Sequence, residues 1–162
     1  MTLRLMGARF TVVALCLLAG CNADRLGTLK RMSPQQRQAA MIKAAEAGDA
    51  VQVKACIDAG VSVNEPEVQG GWTALHFAVR SQDEATVSAL LAAGANPRVA
   101  GRPPARWGAS GVALTAAELA KLQLMHTILR GLDSSAAERV AQNQKTRERM
   151  ERIVALLAKA AK

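Results

Sequence analysis

Apolar residues return at intervals of three and four along two neighbouring stretches of this chain. Ala44, Val53, Cys56 and Ile57 carry the pattern in the first stretch, and Ala78, Val87, Leu90 and Leu91 in the second. That period predicts helices with one buried stripe each. The two stretches are copies of one another. Ala44, Gly48, Asp49, Val53, Cys56, Ile57 and Gly60 stand 34 residues before Ala78, Gln82, Asp83, Val87, Leu90, Leu91 and Gly94. Each copy reads as helix, short turn, helix. Ser33-Pro34-Gln35-Gln36 starts the first: serine caps, proline suits the first turn, and Gln36 answers Ser33 in a capping box. Asp49 is placed to cap the second helix. Gly60 and Gly94 fall just past their helices, where left-handed backbone costs glycine little.

A third, weaker copy follows. Thr115-Ala116-Ala117-Glu118-Leu119-Ala120 opens a helix with a capping box of its own, and Ile128, Leu129 and Leu132 continue an apolar stripe into a second helix. Beyond it, Ser135 and Glu138 repeat the capping-box spacing, and Gln142 to Arg149 is polar on all sides. Met150, Ile153, Val154, Leu157 and Ala161 then return at helical intervals. This last segment predicts a helix that closes the exposed end of a stack, which repeat structures need for solubility. Residues 22–32 show no apolar period and read as a polar tether.

The second copy is the most regular. Residues 71–97 contain Thr73-Ala74-Leu75-His76-Phe77-Ala78 and end in Gly94-Ala95-Asn96-Pro97. This resembles one ankyrin repeat, whose signature opens its first helix with Thr-Pro-Leu-His-x-Ala; Ala74 stands where proline is usual. The resemblance implies an all-α fold: a short solenoid of about three helix–turn–helix repeats, at 33–64, 65–97 and 98–133, with a capping helix over 134–162. It implies that His76 hydrogen-bonds within the turns and has no part in catalysis. It also implies a binding function, because stacked repeats offer an extended surface to other proteins. Cys56 aligns with Leu90 and reads as a small buried hydrophobe.

The start of the chain has a different character. Arg4 and Arg9 precede an apolar run from Phe10 to Leu18, too short to span a bilayer and shaped like a secretory signal. Leu18-Ala19-Gly20-Cys21 then resembles the lipobox of bacterial lipoproteins. The resemblance implies a signal peptide over 1–20, a tether over 21–32, and acylation of Cys21, which would anchor the chain to a membrane facing the periplasm. Asn22 after the cysteine leans toward the outer membrane. More than one acyl chain suffices for stable attachment.

Charge and cysteine content narrow the picture. The net charge is +8, and removing residues 1–20, which hold two cations and no acid, leaves +6. A basic surface suits an acidic protein, an anionic polymer or lipid headgroups; export sets nucleic acid aside. Cys16 falls in the signal and Cys21 carries the anchor, so Cys56 has no intramolecular disulfide partner.

Candidate chemistry is sparse. His76 and His126 have no ligand at metal-binding spacing, and no phosphate loop, nucleophile elbow or zincin motif appears. No enzyme, cofactor or metal is expected. The best functional candidate is the connection after Pro97, which carries Arg98, Arg102, Arg106 and Trp107 and is stiffened by Pro103 and Pro104. Loops on a rigid scaffold are favoured recognition sites, and arginine and tryptophan dominate interface energetics. Trp72, in the preceding connection, is expected at the edge of the same surface. The leading reading is a lipid-anchored, monomeric protein that binds another protein, as partner or neutraliser of an envelope enzyme or toxin. The alternative is a binder of an anionic envelope polymer or lipid headgroup.

Overall fold

The computed structural model describes residues 26–67, 70–104, 112–132 and 137–162. Seven helices fall within them: α1 over 26–31, α2 Pro34–Ala47, α3 Ala50–Asp58, α4 Ala74–Ser81, α5 Glu84–Ala92, α6 Ala116–Leu132 and α7 Ala137–Ala160. Strands β1 (Ala100–Gly101) and β2 (Leu114–Thr115) pair antiparallel, Ala100 opposite Thr115 and Gly101 opposite Leu114. The helices form two rows. α2, α4 and α6 pack side by side in one, α3, α5 and α7 in the other, and each first-row helix packs on the second-row helix that follows it.

Local sequence sets the boundaries. The Ser33 backbone N–H donates to Gln36 Oε1 at 2.9 Å, and the Gln36 N–H to Ser33 Oγ at 3.3 Å, so the capping box forms as its spacing predicts. Asp49 accepts from the Gln52 N–H at 2.9 Å. Asp83 accepts from the Thr86 N–H at 2.8 Å and its hydroxyl at 2.6 Å. Such caps satisfy donors that a helix start leaves open, each worth about 1 kcal/mol. α2 ends on Gly48 at φ 70°, but α4 ends on Gln82 at φ 59°, a left-handed position held by a residue with a side chain. Met41, Val53, Cys56, Leu75, Phe77, Val87 and Leu90 interlock between the rows with no exposure. Fully burying a Leu, Val or Phe contributes roughly 1.5–3 kcal/mol, and this shared interior is what one helical pair alone could not form.

Two expectations are corrected. The polar tether expected over 22–32 is helical from residue 26, and Leu29 is buried in the core with Met32 packed partly against it. Leu26, Leu29 and Met32 share one face, but two turns are too few to register as a period. The third unit also differs. α6 runs unbroken for 17 residues, and Ile128 and Leu129, expected on a buried stripe, are exposed. The 24-residue α7 takes the second-row place beside α5, so the expected cap is the third unit's own second helix. The reason lies in the break point. Gly48-Asp49 and Gln82-Asp83 end one helix and cap the next; Thr115 aligned on Thr73 puts Leu124-Met125 there instead, two good helix formers.

Candidate protein-binding site

The expected surface centres on the connection between the second and third units, and its stem is a built structure. Trp72 is 2 % exposed. Its indole Nε1–H donates to the Gly101 carbonyl at 3.0 Å. Its ring stacks on His76, centroids 5.6 Å apart, and meets Phe77 edge-on at 5.5 Å. Trp72 therefore packs inward instead of edging an exposed surface, and it clamps the second unit to the third.

His76 completes the clamp. Its Nδ1 accepts from the Thr73 backbone N–H at 3.1 Å, with the Thr73 hydroxyl 3.0 Å away. A backbone N–H can only donate, so the ring proton sits on Nε2, which donates to the Leu114 carbonyl at 2.9 Å. Burial lowers the His76 pKa from its ordinary value; hydrogen bonds to the Leu114 and Val99 backbone oppose that shift. Both arguments leave a neutral, structural imidazole. Cys56 is a buried free thiol whose pKa is raised mainly by burial.

Glycine brings the two backbones together. Gly71 bridges Arg102 in parallel register. A Cβ on Gly101 would lie 2.3 Å from the Gly71 carbonyl oxygen, and one on Gly70 would lie 2.7 Å from the Arg102 oxygen. A connection between two regular repeats need take no part in their packing. For residues 100–104 that is reversed, because close backbone approach and the Trp72 hydrogen bond make this stem part of the stack.

The expected contact residues separate accordingly. The Arg98 guanidinium donates to the Ala161 carbonyl just past α7, a contact that suits the negative end of a helix. Arg102 is exposed on the stem. Arg106 and Trp107 lie outside the described residues, as do Cys21 and the whole segment 1–25. Among the described residues, no three His, Cys, Asp or Glu side chains come together to hold a metal, and no helix is long and apolar enough to cross a membrane. One surface was missed in the sequence. Leu122, Met125, Ile128 and Leu129 are exposed along α6, beside an open groove of about 550 Å³. Their three-and-four spacing was visible, but it reads equally as a buried stripe.

Stacked helical pairs joined by hydrogen-bonded turns define a repeat-built helical scaffold. A model of ankyrin repeats in three copies matches residues 6–100, more than half of the chain. The chain belongs to the ankyrin-repeat family. It is similar to the mitochondrial disaggregase of Bos taurus, 37% identical over 67 residues, which are 41% of this chain and 10% of that protein. It is similar to the human 2-5A-dependent ribonuclease, 42% identical over 57 residues, 35% of this chain and 8% of the ribonuclease. Human ankyrin repeat domain-containing protein 40 is 32% identical over 68 residues, 42% of this chain and 18% of that protein. The chain thus spans a fifth or less of these relatives' length. The family match stops at residue 100, before α6 and α7, so the third unit keeps the two-row plan with little of the motif.

Proposed function

We propose that this ankyrin-repeat protein is a lipid-anchored binding module of the cell envelope, facing the periplasm from the outer membrane, with no catalysis of its own. Ankyrin repeats generally mediate contact between proteins, and the reading here is of a protein partner, such as an envelope enzyme or toxin. The observation that carries it is the pinned connection between units two and three. Arg102 is exposed on a stem held by Gly71, Gly101 and Trp72, and Arg106 and Trp107 follow within five residues. A stem already ordered lowers the entropy cost of binding. The test is capture from envelope extract by the full chain, compared with an Arg102→Ala/Arg106→Ala/Trp107→Ala variant. A partner retained by the parent and lost by the variant supports the reading; equal retention moves the site elsewhere.

The net charge, +8 for the whole chain and +6 once residues 1–20 are removed, favours a second reading, an anionic envelope polymer or lipid headgroup as the ligand. Binding to it would fall steeply with added salt, unlike binding at a desolvated protein interface.

Anchoring rests on Leu18-Ala19-Gly20-Cys21 after the short apolar run. A competing observation is that the family match begins at residue 6 and takes in these four residues. Ala59-Gly60 and Ala93-Gly94 end the two regular units with the same Ala-Gly pair. The mass of the purified protein separates the two: cleavage before Cys21 with added acyl groups supports the anchor. An intact, unacylated segment assigns these residues to the repeats. A Cys21→Ser variant should then lose acylation only in the first case.

A further inference from the structure

α6 is longer than the helix it packs on. α4 has 8 residues and α6 has 17. With Thr115 aligned on Thr73, the end of α4 at Ser81 falls beside Gln123. The remaining nine residues overhang the stack by about 13 Å at 1.5 Å per residue. α7 is set the same way: Arg152 meets Glu84, the first residue of α5, at 2.7 Å, so α7 up to about residue 151 runs with the α6 overhang, beyond α5.

α6 exposes apolar surface on the side away from the core, from Leu122 at the rim of the stack to Met125 and Leu129 on the overhang. Ala116, Ala120 and Thr127 form the buried side of α6. Leu122, Met125 and Leu129 lie on the opposite side at about 100° per residue, with exposures of 45 %, 54 % and 55 %. Scattered apolar residues need no explanation, but these three share one face of α6, and Leu122 at its near end also lines a groove. The groove lies where the overhang meets the ends of α2 and α4, between Glu46, Arg80 and Gln82 on one wall and Leu122, Gln123 and His126 on the other. Gln123 Oε1 in that wall is buried and has no donor among the described residues.

Charge narrows the occupant. Lys121 and Arg130 flank the stripe on its two sides, and both are exposed. Glu118, in line with the stripe, already accepts from the Thr115 N–H and hydroxyl, both at 2.8 Å. Across the groove Glu46 and Arg80 offset one another in formal charge. The stripe is therefore apolar at its centre and basic at its edges. A second copy would bring the same Lys121 and Arg130, and a net +8, against them.

We propose that the α6 overhang is a docking site for an amphipathic helix of another protein, with acidic residues flanking its apolar face. Apolar anchors at i, i+3 and i+7 are how one helix seats against another, and Leu122 to Leu129 spans two turns. This surface is distinct from the Arg102 stem, at the far end of α6, and neither needs the other.

The probe is a fluorescent peptide of about 14 residues, roughly four helical turns, with leucine on one face and glutamate flanking it. Its control replaces glutamate by lysine. Anisotropy titrations with the full chain should show the acidic peptide binding at least about tenfold more tightly. A Leu122→Gln/Met125→Gln/Leu129→Gln variant should lose about tenfold or more in affinity for the acidic peptide while its circular dichroism melt is kept, since all three residues are solvent-exposed. A Lys121→Glu/Arg130→Glu variant should erase the preference. Equal binding of the two peptides, or undiminished binding by the triple variant, overturns the proposal. Sedimentation of the chain as a dimer that the triple variant abolishes also overturns it, because a second copy is then the occupant. Partner capture that fails only in the Arg102/Arg106/Trp107 variant leaves this result untouched, so the two sites fail separately.

Discussion

The first two units and the third solve the same packing problem with different chain lengths. Residues 33–97 fold into two compact pairs, each first-row helix closed by a left-handed residue and each second-row helix capped by aspartate. The third unit keeps both row positions but lacks the break, so its helices run on past the stack. Among the described large apolar residues of the regular units, only Val51 is exposed. The third leaves an apolar stripe and a groove in the open. Regularity here stabilises; departure from it creates surface.

The largest test of this contrast is the clamp between the two regions. Trp72→Ala removes a buried ring and its bond to Gly101, and should cost about 3–5 kcal/mol. Hydrogen exchange should rise first in α6 and α7, with α2 and α3 affected least. Uniform loss of protection would mean that the units do not separate and that the contrast is only one of shape. Gly101→Ala comes next. Its Cβ would press against backbone, and overpacking of this kind costs about 1–3 kcal/mol, to be read from denaturant midpoints.

A smaller effect contrasts the two regular units. Gln82 occupies the left-handed position that Gly48 holds in the first. Left-handed backbone costs a side-chain-bearing residue about 1–2 kcal/mol, and glycine gives part of that back through greater unfolded-state entropy. Gln82→Gly should therefore stabilise by up to about 1 kcal/mol. Gly48→Gln should destabilise, since its Cβ would also lie 3.1 Å from the Asp83 Cβ. If both changes are neutral in thermal melts, the two turns are equivalent.

The finest effect is one of pH. The folded pKa of His76 lies below its ordinary value of 6.5, so the unfolded chain binds the proton more readily. The stabilisation is complete above pH 6.5 and is lost as pH falls toward the folded pKa. Between pH 7.5 and 5 the protein should lose more stability than a His76→Gln variant, in which the amide can still donate to Leu114 but does not titrate. Carboxylates contribute alike to both, so equal slopes would show that His76 does not titrate with unfolding.

Much of the regular region was legible because its signals are local. Ser33, Asp49 and the 34-residue offset each predict a boundary from a few neighbouring residues, and Cys56 inherits its buried place from Leu90. The stem was not legible. Trp72 has the composition of an interface anchor, and only its distance to Gly101, set by a contact 29 residues away, turns it inward. Leu26 and Leu29 form too short a pattern to separate from a tether. Ile128 and Leu129 have the spacing of a core, and their exposure follows from where α4 stops. Such errors arise wherever tertiary contact, not local period, decides which face of a helix is covered.

The antiparallel pairing of Gly101 with Leu114 has one more consequence. Paired strands hold these two points about 5 Å apart, and Trp72 and His76 pin them from below, one bond to each carbonyl. Whatever joins them starts and finishes at fixed coordinates. Doubling the length of a closed segment adds only about 0.6 kcal/mol, so the stretch between Pro104 and Leu114 is an exchangeable cartridge. Longer, shorter or wholly different sequences can be fitted between the same two posts while the helices behind them keep their places.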